Sequence, residues 1–267
     1  MKVNICPRCR NRRFYRVRRG KIRCKNCLYE FKPYPVRGVR LDERSIKQLI
    51  TWFLLERGGL WVAKKESLGK NLIYKVFSLI RSACLRDIPE QFCGIVEVDE
   101  TYLGGQKRNK SKSQLKKEEI AYGESRRGFG TTKQPVFGIL CRNGKVWASV
   151  VDDTEAKDLI PIIEKRVKPG TKICSDTWRA YTGLATRGYV HRTVEHQKKE
   201  YVKGKNHING LEGFFGYLKR KLASKGGVRR KYLCLFLGEY VWRYNHRNLE
   251  FRDQIERIFH LISEFSG

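Results

Sequence analysis

Eleven residues from Ile95 to Gly105, Ile-Val-Glu-Val-Asp-Glu-Thr-Tyr-Leu-Gly-Gly, constrain the fold more than any other stretch. β-Branched residues favour a strand, and the two glycines break it. Alternation puts Ile95, Glu97 and Asp99 on one face and Val96, Val98 and Glu100 on the other. Three acids within four residues are costly on a half-buried strand unless something offsets the repulsion between Glu97 and Asp99. A divalent cation would do so. An edge strand with solvated acids is the alternative, and this stretch alone leaves both open.

At 267 residues the chain can hold a medium domain and one or two small ones. Its 57 Lys and Arg against 27 Asp and Glu give a formal net charge of +30 and a pI near 10.0, more than solubility requires. A polyanion is the implied partner, nucleic acid foremost. A polybasic membrane-surface protein is the competing account. No apolar run approaches the roughly 18 residues of a spanning helix, and residues 1–6 lack an apolar signal core. The expected setting is cytoplasmic and nucleoid-associated, with no membrane. In that reducing compartment the nine cysteines are thiols or metal ligands.

Cys6-Pro7-Arg8-Cys9 and Cys24-Lys25-Asn26-Cys27 form two C-x2-C pairs separated by fourteen residues. Four thiolates on two tight turns match the tetrahedral preference of one structural zinc ion. Between the pairs, residues 14–18 and 21–23 read as short strands around Gly20, the outline of a zinc ribbon over 1–36 whose stability depends on metal. Residues 1–40 carry fourteen Lys and Arg and a single acid, Glu30. Phosphate contact is expected there, with Arg12 and Arg13 as candidates, and protein docking is the alternative.

Pro33-Tyr34-Pro35 reads as a stiff linker. Beyond it Ile46, Leu49, Ile50, Phe53 and Leu54 recur at helical spacing until Gly58-Gly59 stops them. A second helix over 60–66 and a third over 70–86 complete a helix-turn-helix outline in a unit spanning 41–88. Lys70, Asn71, Lys75 and Arg81 on the outer face of the third helix are suited to phosphate and base contacts. Many three-helix units share this outline without touching DNA.

A basic segment over 106–133 follows the acidic strand and could hold substrate phosphates or merely be solvated. Residues 135–141 and 145–151 flank Arg142-Asn143-Gly144, a strong hairpin signal. Thr154 is the expected cap of a helix running to about Arg166. Residues 171–176 form a strand that again ends in a carboxylate, Asp176, and a fifth short strand is expected around His191. A basic stretch over 198–205 then leads into a helix. On it Asn209, Glu212, Gly216 and Lys219 make a polar stripe, with Gly216 admitting close approach, while Leu211, Phe215, Leu218 and Leu222 face a core. Cys84, Cys93, Cys141, Cys174 and Cys234 lack ligand spacing and are expected to be small buried residues.

The order of elements, with acids on the first strand, the fourth strand and a later helix, resembles the RNase H-like nuclease fold. The local motifs are more specific: residues 96–105, Ser175-Asp176-Thr177-Trp178, His207-Ile208-Asn209-Gly210-Leu211-Glu212 with Leu218-Lys219-Arg220, and Tyr240-Val241-Trp242-Arg243-Tyr244-Asn245-His246-Arg247. Together they resemble bacterial insertion-sequence DDE transposases of the ISXO type, which carry an N-terminal zinc ribbon and are related to the eukaryotic Merlin transposases. The resemblance implies an α/β chain with a zinc ribbon, a helix-turn-helix unit and an RNase H-like catalytic domain over 92–267. It further implies Asp99 and Asp176 as magnesium ligands, Glu212 as the third acid and Lys219 as a phosphate-positioning residue. Asn209, one turn before Glu212, is the alternative third ligand, although a carboxylate binds a hard cation more strongly. Two magnesium or manganese ions are implied, with terminal inverted repeats and target DNA as partners and a homo-oligomer assembled on DNA. Competing expectations are a nuclease or resolvase that cuts without joining, and a recruited, inactive zinc-ribbon DNA-binding regulator.

Overall fold

The computed structural model describes residues 6, 8–18, 21–31, 34–36, 38–104, 111–113, 115–116, 120, 133–142, 144–176, 179–193 and 209–264. Most of the basic segment over 106–133, the basic stretch over 198–205, Trp178, Asn143, His207 and Ile208 lie outside them. The chain divides into two compact units, Met1–Arg86 with Asn248–Gly267, and Asp87–Arg247.

The first unit opens with three antiparallel strands in the order β1-β2-β3: β1 (Phe14–Arg16), β2 (Ile22–Cys24) and β3 (Glu30–Phe31). The third is only two residues long and carries too little periodicity to show in the sequence. It forms because Phe31 packs edge-on against Phe14, ring centroids 5.6 Å apart. The turn after each cysteine pair has the same backbone. Arg10 and Leu28 adopt left-handed φ of 59° and 56°, and their N–H groups donate to Cys6 O at 2.9 Å and Cys24 O at 3.1 Å.

Helices α1 (Glu43–Leu54), α2 (Gly59–Lys65) and α3 (Lys70–Arg86) follow. Asp42 caps α1 by accepting from Ser45 N at 2.8 Å. Gly58-Gly59 does not end α1. Glu56 does so with φ of 55°, donating to Phe53 O while Arg57 N donates to Trp52 O, the paired bonds of a Schellman motif. Gly58 instead precedes α2 as its N-cap. The last helix of the chain, Phe251–Glu264, packs on α1 and α3 within this unit. Three helices leave an open apolar face, and Ile258, Phe259 and Ile262 cover it. Lys47 joins the two, donating to Glu256 at 2.6 Å and lying 4.9 Å from the Phe259 ring.

The second unit is a five-stranded mixed sheet. Strands β4 (Ile95–Leu103), β5 (Gln134–Cys141) and β6 (Val146–Val150) form an antiparallel meander. Strands β7 (Lys172–Ser175) and β8 (Val190–Thr193) add in parallel, giving the order β6-β5-β4-β7-β8. This topology is consistent with an RNase H-like domain. One face, with Val96, Val98, Phe137, Ile139 and Ile173, packs on α4 (Ala156–Arg166). The other, with Leu103, Val136 and Leu140, packs on α5 (Asn209–Ala223) and α6 (Arg230–Asn245). Gly138 on β5 permits this contact, since a Cβ there would lie 2.8 Å from Phe215 and 3.0 Å from Leu211. The tail of the chain is α7 (Phe251–Glu264).

Several local expectations need correction. Glu155, not Thr154, stands at the N-cap of α4 and makes no side-chain cap bond. Thr154 is buried, and its hydroxyl lies 3.1 Å from that of Tyr102. A buried hydroxyl needs a partner, and the strand supplies one. Cys93 and Cys234 are exposed, unlike Cys84, Cys141 and Cys174. The motif over 240–247 is structural: the amide of Asn245 accepts from Val146 N at 2.7 Å and donates to Val146 O at 2.8 Å, occupying the outward bonds of edge strand β6.

Candidate active site

The parallel register of β4 on β7 pairs Glu97 with Cys174. Carried two residues further, it brings Asp99 level with Asp176, just past the end of β7, and lateral neighbours in a parallel pair share a face. Glu212 comes from the first turn of α5, which covers that face. Asp99 is pushed up to about 8, first by burial and then by the charges of Glu100, Asp176 and Glu212. Asp176 and Glu212 thus both lie within the field of Asp99. Lys219, two turns along α5, is lowered by burial, while the Asp99 carboxylate works against the shift and Lys133 adds to it. Asn209 is exposed in the same first turn as Glu212.

Two further groups belong to this site and were not legible in the sequence as such. Tyr181 is fully buried and donates its hydroxyl to Glu100 at 2.5 Å. Burial pushes Glu100 up to about 7, with the Tyr181 bond opposing and Asp176 reinforcing the shift. His191 Nε2 lies 2.8 Å from Ser175 Oγ, and that hydroxyl also donates to Asp176 O at 2.8 Å, fixing the backbone at the strand end. Gly216 is not a point of tight approach, since a Cβ there would meet only the flexible end of Arg220 at 3.4 Å. Gly210 is the crowded position, where a Cβ would lie 3.0 Å from Glu97 Oε2.

The donor set suits a divalent cation. Its atoms are hard oxygens, and one of the carboxyls, Asp99, is raised to about 8 first by burial and then by the acids around it. Among the described residues, only Cys6, Cys9, Cys24 and Cys27 bring all their ligand atoms within 4.8 Å of one another, so the carboxylates are spread more widely than that. The thiols fit zinc directly. Cys6 and Cys27 sulfurs are 3.5 Å apart, as are those of Cys9 and Cys24, close to the ~3.8 Å edge of a zinc–sulfur tetrahedron with ~2.3 Å bonds. The backbone N–H of Asn11 helps hold the Cys9 thiol down to about 6, so it is readily a thiolate.

The candidate DNA contacts divide. Arg12 and Arg13 are exposed beside β1, and Lys70 and Asn71 are exposed at the start of α3. Lys75 is also exposed and donates to Gly38 O at 2.7 Å. Arg81 lies 5.3 Å from the Phe53 ring.

A family model described as the ISXO2-like transposase domain matches residues 91–245. A transposase-like protein of Haemophilus influenzae, itself uncharacterised, is 32% identical over 118 residues, 44% of this chain and 94% of the relative. A chain of the pre-cleavage Mos1 transpososome covers 89% of this chain and 82% of its own, with a TM-score of 0.31 and 12% identity, too slight a likeness to carry an argument.

Proposed function

The chain belongs to the ISXO2-like transposase domain family, and we propose that it binds the ends of an insertion sequence, cleaves them and joins them to target DNA. Water attacks the phosphodiester at the element end and frees a 3′-hydroxyl. That hydroxyl then attacks a phosphodiester of the target, one ester bond forming as another breaks, so no nucleotide cofactor is consumed. Two divalent cations held by Asp99, Asp176 and Glu212 would supply Lewis-acid stabilisation of the phosphoryl charge and lower the pKa of the attacking oxygen. Lys219, exposed on α5 and within the field of Asp99, positions a phosphate oxygen. The ribbon over 1–36 and the helical unit over 41–88, completed by α7, recognise the element ends through Arg12, Arg13, Lys70 and Asn71. What supports this reading above all is the match of residues 91–245 to the ISXO2-like transposase domain, together with the β4–β7 register that sets Asp99 level with Asp176.

A labelled terminal-repeat duplex incubated with protein, magnesium and supercoiled target tests it. Joined product is expected from the wild type, and neither joining nor cutting from Asp99→Ala or Asp176→Ala, with end binding retained. Cutting without joining would make the protein a nuclease, and binding alone a regulator.

A further inference from the structure

Glu97 sits on β4, two residues before Asp99 and on the same face, yet it is only 1% exposed. One of its oxygens accepts from Leu211 N at 2.9 Å, and the other faces Arg142 Nε at 3.6 Å. Leu211 is the third residue of α5, whose first backbone N–H groups have no acceptor within the helix. That need is usually met by the residue just before a helix. Here it is met from a strand 114 residues away, and the carboxylate's charge also complements the positive end of the helix. The hydrogen bond thus has Asp99 two residues from one end and Glu212 one residue from the other. Gly210 makes the contact possible, because a Cβ there would lie 3.0 Å from Glu97 Oε2 and 3.2 Å from Leu140.

We propose that Glu97 is a positioning residue whose buried carboxylate locks the start of α5 to β4 and so sets the separation of Asp99 from Glu212. The inference rests on the metal-binding reading of those two acids. Glu97 itself touches neither substrate nor cation; it acts through the helix. Without it the first turn of α5 is free to shift, and with it the third acid.

The test is manganese binding by the full-length protein, read by electron paramagnetic resonance, together with hydrogen exchange of the peptide containing Leu211. Glu97→Ala is expected to weaken manganese binding about 10- to 100-fold, the usual cost of losing a group that orients a ligand. Glu97→Gln keeps an acceptor for Leu211 N–H and should weaken it less. Exchange at Leu211 should accelerate in the order wild type, Gln, Ala. Gly210→Ala, which displaces the carboxylate without removing it, is the second variant if Glu97→Ala does not fold, and it should act in the same direction. A folded Glu97→Ala or Gly210→Ala protein with wild-type manganese affinity and unchanged exchange overturns the positioning role. Asp99→Ala separates the two readings: if it weakens manganese binding while the other variants do not, the metal site stands and only the role of Glu97 falls. If Asp99→Ala binds manganese as the wild type does, both fall.

Discussion

Tyr181 and Glu100 share one short hydrogen bond, 2.5 Å from phenol oxygen to carboxylate, between the 3₁₀ turn after β7 and the acidic strand β4. It joins the acid next to Asp99 to the apolar layer under α4, where Tyr181 is wholly enclosed. Asp99 and Glu100 are therefore not part of a solvated rim, and burial raises both carboxyls into the neutral range.

That retention has a sign. Asp99 rises from 3.8 to about 8 and Glu100 from 4.5 to about 7, both chiefly through burial. The folded protein then holds protons that the unfolded chain has released. The contribution of these two groups to stability is fully present below about pH 4 and is lost as pH rises towards 8 in metal-free protein. Thermal melts in chelator should show the decline, and magnesium should raise Tm more at about pH 8.5 than at about pH 6, where it competes with the proton on Asp99. A metal-free Tm that climbs across this range would remove the argument.

Glu212 and Asn209 can be told apart by charge. Glu212→Gln keeps the shape but removes a full charge, and cleavage in magnesium should fall on the order of a hundredfold or more. Asn209→Ala should cost less. Manganese, the less demanding ion, should partly rescue whichever variant has lost a direct ligand. Cleavage rates for both variants in both metals decide the matter, and the reverse order would make Asn209 the ligand.

The ribbon should depend on its metal independently of the catalytic unit. Cys6→Ser or Cys24→Ser is expected to release zinc, measured by elemental analysis, while the melting transition of the second unit persists. Leu28→Gly should stabilise the zinc-loaded ribbon by up to about 1 kcal/mol, because Leu28 is exposed and its φ of 56° is strained for any side chain with a Cβ. Zinc-free wild-type protein would refute the first expectation, and a destabilised Leu28→Gly the second.

Asn245 is expected to be worth more than its size suggests. Asn245→Ala leaves the outward N–H and C=O of Val146 buried without partners, at a cost of about 2–4 kcal/mol in urea unfolding of the second unit. A change below about 0.5 kcal/mol would show that solvent or the main chain replaces the amide.

Local pattern made much of this legible. Alternation along β4 put Glu97 and Asp99 on one face, Asn-Gly marked the hairpin, and the helical stripe placed Glu212 and Lys219 together on α5. What escaped was long-range or conformational. Glu97 and Asp99 read as a repulsive pair because the helix end that neutralises Glu97 lies 114 residues away. The Gly38 carbonyl that accepts from Lys75 likewise has no sequence signature. Glu56 ends α1 in a conformation usually reserved for glycine, so the nearby Gly58-Gly59 drew the boundary instead. The four cysteines were plain because their spacing is itself the geometry.

The docking of α7 on α1 and α3 also has a temporal side. A chain emerging from the ribosome exposes its ribbon and first three helices well before Ile258, Phe259 and Ile262 exist to cover them. At synthesis rates of about 5–20 residues per second, the intervening catalytic unit delays that covering by on the order of ten seconds or more. The helical unit therefore matures last although it begins early, and a chain cut short by premature termination would carry that unit with its apolar face uncovered.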